Sequence, residues 1–191
     1  MDKHFTDLLD RARASVLVKD QFGYCVYASP SAEALRGFAQ GEIEGKHASE
    51  ITASDPRLVE RQFERLRRDR AWVGQYPVRR SDSDPITIRA YNFLHQEWDG
   101  NCLYTAFEYA VDARHRLSQD GPLKLEDDTL TARDLCFAQF CVDGYTDEEI
   151  AILLGTAVEH VGALASTFLA GMEASSRTAA CIRAIKSHLV V

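Results

Sequence analysis

Apolar residues near the start of the chain, Phe5, Leu8, Leu9 and Ala12, recur at i, i+3, i+4 and i+7, which predicts an amphipathic helix. Two short strands are predicted next, over 16–19 and 24–28, with Asp20-Gln21-Phe22-Gly23 supplying turn residues between them. Helices follow over 31–35, near 47–51 and over 57–70. Three longer strands are then predicted, over 72–80, 86–97 and 102–111. In the second, Ile86, Ile88 and Ala90 share a face; in the third, Leu103, Thr105, Phe107 and Tyr109 do. Asp99-Gly100 reads as the hairpin turn joining these two. Two strands, several short helices and three antiparallel strands make an α+β unit, a five-stranded antiparallel sheet with helices on one face. Its expected core is Val16, Val18, Val26, Tyr27, Leu35, Phe38, Ile43, Ile51, Leu58, Phe63, Leu66, Ile88, Leu103 and Phe107.

The pattern changes after residue 111. Residues 112–129 hold Gly121-Pro122, a breaker signal, and the acidic cluster Glu126, Asp127 and Asp128, and read as a linker with a helical start at Asp112 to Leu117. From 130 onward Ala, Leu and Cys recur at helical spacing. Thr131 with Asp134, Thr146 with Glu149 and Thr156 with Glu159 have capping-box spacing, and Ser175-Ser176 opens a fourth helix. Gly144 and Gly155 stand where helices end. Tyr145 and Ile150 are placed as a hydrophobic staple. Val158, Val161, Leu164, Ala165, Phe168 and Met172 form the inner stripe of the third helix, and Ile182, Ile185 and Leu189 share a face of the fourth. This predicts an all-α, four-helix helix-turn-helix unit over 130–191, behind an α+β unit over 1–111.

Composition narrows the class. The 191 residues are 46% hydrophobic and 27% charged, which excludes a disordered or collagen-like chain. The uncharged run His160 to Met172 is too short to span a bilayer, and the N-terminal residues have no apolar signal core, so a cytoplasmic protein with no membrane association is expected. The five cysteines, Cys25, Cys102, Cys136, Cys141 and Cys181, include no CxxC pair and read as reduced, mostly buried thiols; no metal site is expected. Glycine-rich phosphate loops, HExxH, GxSxG and paired Cys/His spacings are absent from the sequence, so an enzyme is not expected. The net charge of −7 is uneven: residues 1–118 carry 17 basic against 18 acidic side chains, and residues 119–191 carry 5 against 11. The arginines at 57, 61, 65, 67, 68 and 70 alternate with Glu60, Glu64 and Asp69, including the i,i+4 pair Glu64–Arg68, and read as a solvated helix face.

Two resemblances follow from these motifs. The stretch from Lys19 to Lys46 has an acidic turn with glycine between two strands, then a helix, then Gly37, Glu42, Ile43, Gly45 and Lys46 in a G-x-x-x-x-E-I-x-G-K pattern. With the order of elements, residues 5–111 resemble a PAS domain, although Ala28-Ser29-Pro30 stands where many members have an asparagine. The resemblance implies a sensory or dimerisation domain. A ligand pocket would be lined by Tyr76, Tyr91, Phe93, Tyr104 and Phe107, with a packed core as the alternative. The Asn-Cys-Arg-Phe-Leu-Gln run of flavin-binding members is absent, so flavin is not expected. The long helix has no histidine, so haem is not favoured; His47 and His95 would be its candidate ligands. The cofactor is otherwise left unknown.

Residues 130–189 resemble the LuxR-type DNA-binding domain without a gap. Leu130-Thr131-Ala132-Arg133-Asp134 stands at its L-T-x-R-E opening, Gly144 and Glu148 to Gly155 at its central motif, and Ser176-Arg177-Thr178-Ala179-Ala180 at its closing S-R-T-x-A. The resemblance implies a cytoplasmic transcription regulator. The third helix departs from the family: Ala157, Glu159, His160, Gly162, Ala163 and Leu164 replace its polar and basic residues, and Thr167 and Gly171 replace further basic ones. No Lys or Arg lies between Arg133 and Arg177, and DNA binding leans on such residues. Two functions are therefore expected in competition. Either Ala157, Glu159, His160, Gly162, Ala163, Ser166, Thr167 and Ala170 face DNA, or this surface contacts protein, such as a partner regulator. A homodimer is expected, through Phe5, Leu8, Leu9 and Ala12 and through Ile182, Ile185 and Leu189.

Overall fold

The computed structural model describes residues 3–96, 102–111, 121–122 and 130–191. The chain divides into two compact units, Met1–Leu123 and Lys124–Val191. The expected Asp99-Gly100 turn, the helical start at 112–117 and the acidic cluster at 126–128 lie outside the described residues.

Unit 1 begins with α1 (Lys3–Asp10), followed by β1 (Ser15–Lys19) and β2 (Cys25–Ala28). Then come α2 (Pro30–Arg36), α3 (Ala48–Ile51) and α4 (Pro56–Asp69). The strands β3 (Ala71–Val78), β4 (Ile86–Gln96) and β5 (Cys102–Ala110) complete it, with a two-residue β6 (Gly121–Pro122). The antiparallel sheet runs in the order β2-β1-β5-β4-β3-β6. Five strands are those the hydrophobic alternation predicts. The sixth was expected as linker; it pairs Pro122 with Gly74 and Gly121 with Gln75 at the open edge of β3, where a proline is tolerated.

Local chemistry explains the entry into this unit. The Asp20 carboxylate accepts from the N–H groups of Phe22 and Tyr24, both at 2.9 Å, and closes the β1–β2 turn. Ser29, within the Ala28-Ser29-Pro30 stretch, caps α2: its hydroxyl accepts from Ala32 N–H at 3.2 Å and from Val16 N–H at 2.9 Å, fastening the helix start to β1. α4 starts with Asp55 accepting from Arg57 N–H and Pro56 in its first turn.

The register divides the sheet's side chains between two faces. Leu17, Ala106, Asn92 and Trp72 lie in one cross-strand row, and Lys19, Tyr104 and Leu94 in another on the same face. Val16, Phe107 and Tyr91 lie on the opposite face. Leu66, Trp72, Tyr76, Val78, Ile88, Ala90, Leu94 and Tyr104 form a buried cluster on the first face, with Phe63 of α4 against it. On the other face Phe5 of α1 stacks on the His95 ring at 4.8 Å. Asp10 at the end of α1 accepts from the Tyr27 hydroxyl at 2.6 Å. Of the expected core, Val26 and Leu58 are exposed instead, at 43% and 45%. Alternation places Val26 on the open side of a four-residue strand, and Leu58 lies in the first turn of α4.

Unit 2 consists of α5 (Ala132–Asp143), α6 (Asp147–Leu153), α7 (Val158–Gly171) and α8 (Arg177–Lys186). The capping boxes of Thr131 with Asp134 and Thr146 with Glu149 form as their spacing predicts, and Gly144 ends α5 at φ +88°. The third expected box does not form. Ala157 is the N-cap of α7 and offers no side-chain acceptor; Thr156 Oγ1 lies 3.2 Å from His160 Nδ1 instead. Phe137, Phe140, Ile150, Val161, Phe168, Ala180 and Ala184 are buried. Among the described residues no single helix is long and apolar enough to cross a membrane.

Two glycines of α7 differ in kind. A methyl group on Gly162 would meet nothing within 4 Å, whereas one on Gly171 would lie 2.6 Å from Leu130 Cδ2. Gly162→Ala is therefore expected to stabilise unit 2 by about 0.5–1 kcal/mol through helix propensity alone. Gly171→Ala should lose that gain to the displacement of Leu130. Chemical denaturation of the two variants checks the difference.

Candidate functional site

The α4-facing side of the sheet in unit 1 carries polar side chains that a purely structural core would not need. Glu108 on β5 is buried, at 1% exposure. Its Oε2 accepts from Arg36 Nη2 at 2.6 Å and from Ser15 Oγ at 3.0 Å, and its Oε1 accepts from the Tyr76 hydroxyl at 3.0 Å. Arg36 Nη1 also donates to Ser15 Oγ at 3.3 Å, and Arg36 is buried at 1%. The pair thus spans α2 and β5, with β1 and β3 supplying hydroxyls. Burial, then the Glu108 charge, raises the Tyr76 hydroxyl well above its ordinary range, so it donates as a neutral phenol.

Lys19 stands beside this cluster, paired across the sheet with Tyr104 and, on β2, with Cys25. It is 7% exposed. Burial pushes its ammonium below the usual lysine range, opposed by the charge of Glu108. Its side chain lines a cavity of about 20 Å³ with Gln62, Phe63 and Leu66 of α4, Trp72 and Tyr76 of β3, Asn92 of β4 and Tyr104 of β5. That volume is about enough for one water molecule. Arg67 Nε donates to the Tyr104 hydroxyl at 2.9 Å, and the Phe63 and Tyr104 rings meet edge-on at 4.9 Å, so α4 forms one wall.

The five aromatics expected to line one pocket divide between the faces. Tyr76 and Tyr104 line this cavity. Tyr91, Phe93 and Phe107 lie on the opposite face by register, where Phe93 and Phe107 stack at 5.9 Å. Strict alternation along β4 and β5 makes that division unavoidable. Neither candidate haem histidine faces the cavity. His47 is the N-cap of α3, accepting from Ser49 N–H, and His95 is stacked under Phe5. The expected dimer face of α1 is corrected as well: Phe5, Leu8 and Leu9 are 3%, 2% and 0% exposed, because the helix lies on its own unit, and Ala12 lies beyond the helix end. Lys19, Arg36, Ser15, Glu108 and Asn92 were not singled out by sequence reasoning; the one available signal was the lysine closing the apolar run Ser15 to Lys19.

Three thiols hold their protons tightly. Burial pushes Cys25 up to about 11 and Cys141 to about 12, and raises Cys136 further. A raised folded value favours the folded state fully below the ordinary thiol value of 9.0, and that contribution is lost as pH rises toward 11. At about pH 8 these thiols should resist alkylation in the folded chain and react after unfolding, as peptide mass mapping would read.

In unit 2, α6 and α7 meet at 102° across a short turn containing Gly155. This is the geometry of a helix-turn-helix. Ala157, Glu159, His160, Gly162, Ala163, Ser166, Thr167 and Ala170 are all exposed, so the predicted third-helix surface is one continuous face. It carries no Lys or Arg. Asp147, at the start of α6, is held by Arg177 of α8 in a two-pronged ion pair at 2.5 and 3.1 Å. Both partners are partly exposed, so the pair aligns the helices more than it stabilises them. Ile182 and Ile185 of α8 are exposed at 49% and 45%, and Leu189 is half-buried.

No model of a known protein family matches the chain, and no curated protein sequence matches it. Solved structures do. The PAS domain of an HTR-like protein from Haloarcula marismortui is 16% identical, with 55% of this chain and 86% of that chain covered, at a TM-score of 0.50. A light-oxygen-voltage domain is 21% identical, with 60% and 90% covered, at a TM-score of 0.51. The VqmA protein of Vibrio cholerae, from a study of LuxR-type receptors, is 15% identical over 100% of this chain and 91% of that chain; at a TM-score of 0.45 that likeness carries no argument. Unit 1 has the PAS fold.

Proposed function

We propose that this chain is a non-enzymatic, cytoplasmic transcription regulator in which the PAS domain receives a small-molecule signal in its interior and the helix-turn-helix unit is the output. The observation that carries the output half is the 102° crossing of α6 and α7 across the Gly155 turn, on a segment whose opening, central and closing motifs resemble the LuxR-type domain. The Lys19-lined cavity supports the sensory half. The chain acts as a homodimer, with the exposed Ile182 and Ile185 of α8 as the contact.

A second reading rests on the exposed face of α7, which presents Glu159 and small side chains where phosphate contacts need cations. In that reading the helix-turn-helix meets protein, a partner regulator or the dimer mate. Titration of labelled duplex DNA at low ionic strength separates the two. Direct DNA contact requires binding at low salt, with dissociation constants of about 10⁻⁶–10⁻⁴ M or tighter, that weakens steeply as salt rises. Absence of binding there would remove the DNA-contact reading and leave protein contact. The double variant Ala163→Arg with Ser166→Arg is expected to disrupt assembly or partner binding in the second reading and to strengthen DNA binding in the first.

A further inference from the structure

Among the described residues on the α4 side of unit 1, two carboxylates are buried, Glu33, which accepts from Gly41 N–H, and Glu108, and neither is bonded to Lys19. Arg36 and Glu108 neutralise one another through a 2.6 Å contact, and both hydroxyls of Ser15 and Tyr76 are already turned to Glu108. Lys19 adds a further basic group at 7% exposure, and burial disfavours its ammonium form. Among the described residues, the Glu108 charge and the Cys25 thiol favour its ammonium form, and Arg36 opposes them. The Lys19 side chain makes no hydrogen bond and no ion pair among the described residues. A buried ammonium without a counter-ion is costly, and such groups are ordinarily paired. Here the group lines a cavity rather than a closed core.

The rest of the lining has two characters. Gln62 and the proton of the Tyr104 hydroxyl, whose oxygen accepts from Arg67, offer hydrogen-bonding groups beside Asn92, whose amide donates to Trp72 O. Val59, Phe63, Leu66 and Trp72 offer apolar surface. A compound that satisfies both has one anionic head on an apolar body. We propose that the signal received by this PAS domain is a small monocarboxylic acid, bound as the carboxylate with Lys19 as its counter-ion and Phe63 of α4 displaced to admit its body. This rests on the sensory half of the proposed function and names its ligand class. The cavity of about 20 Å³ is too small for more than a water-sized group, so occupancy by a larger acid must move the α4 wall. Phe63 is half-buried and Arg67 joins α4 to Tyr104, so the same motion would release that hydrogen bond.

The test uses the full chain and matched probe pairs: acetate with acetamide, and benzoate with benzamide, followed by calorimetry and by amide NMR shifts. Each acid should bind at least about tenfold more tightly than its amide, the range of one charge-assisted hydrogen bond. Lys19→Met, which keeps the stem and removes the charge, should fold and should abolish the preference for the acid. Amide shifts caused by the acid should fall on β1, β3 and α4. The comparison of acid with amide on the unsubstituted chain stands even if the variant fails to fold. Amides that bind as well as the acids, or a preference that survives in Lys19→Met, would overturn the ligand class and leave the sensory reading standing. No binding by any of the four probes, with no shift in the cavity residues, would overturn both.

Discussion

Glu108→Leu is expected to destabilise unit 1 by about 3–5 kcal/mol, the usual cost of stranding one partner of a buried ion pair. The leucine removes the acceptor for Arg36, Ser15 and Tyr76 together, and Arg36 at 1% exposure cannot reach water. Arg36→Met should cost a similar amount by stranding the carboxylate. The double variant should cost less than the sum of the two, since neither charge then remains buried alone. Urea unfolding followed by tryptophan fluorescence reads all three, because Trp72 is 2% exposed in the same cluster. A single-variant cost below about 1 kcal/mol would mean that water reaches the pair, and the cluster would lose its claim to order the four segments it joins.

Phe168→Ala is expected to unfold unit 2 selectively. Phe168 is fully buried in α7 and meets Phe137 of α5 edge-on at 5.9 Å. Truncating a buried phenylalanine costs about 3–5 kcal/mol, which approaches the whole stability of a unit this small. Calorimetry should lose the transition of α5–α8 and keep that of the sheet, and limited proteolysis should cut within 130–191 first. The two compact units imply two separable transitions. A loss of both transitions together would show that the units fold as one.

The elements were legible because their signals are local. A capping box spans four residues, and two of the three expected ones form; the third failed because Ala157, one residue later, became the N-cap. The glycine stops at 144 and 155 and the Asp20 turn obey the same short-range rules. The PAS resemblance came from the order of strands and helices, and solved structures bear it out as a fold. The candidate site was less legible. Lys19, Arg36 and Glu108 looked like ordinary charged residues at the ends or edges of elements. Nothing within ten residues of Arg36 indicates that it will be sealed against a carboxylate 72 positions away.

The sequence by itself determined which segments become strands and helices, where the chain passes from an α+β unit to an all-α one, and how charge is distributed between them. Those properties follow from backbone preferences and periodicities that act over a few residues. It also determined that α7 would lack cations, since composition needs no geometry. Only the tertiary structure decided which face of each strand lines the cavity, because β4 and β5 are apolar on both faces and alternation alone has no sign. Register then divided Tyr76 and Tyr104 from Tyr91, Phe93 and Phe107 and set Ser15, Tyr76 and Glu108 on one face, where the packing of α2 brings Arg36 to them. Burial of α1 against its own unit was likewise decided there, by the stacking of Phe5 on His95. Such pairings are set by which distant surfaces exclude water together, and no short stretch of chain contains that information.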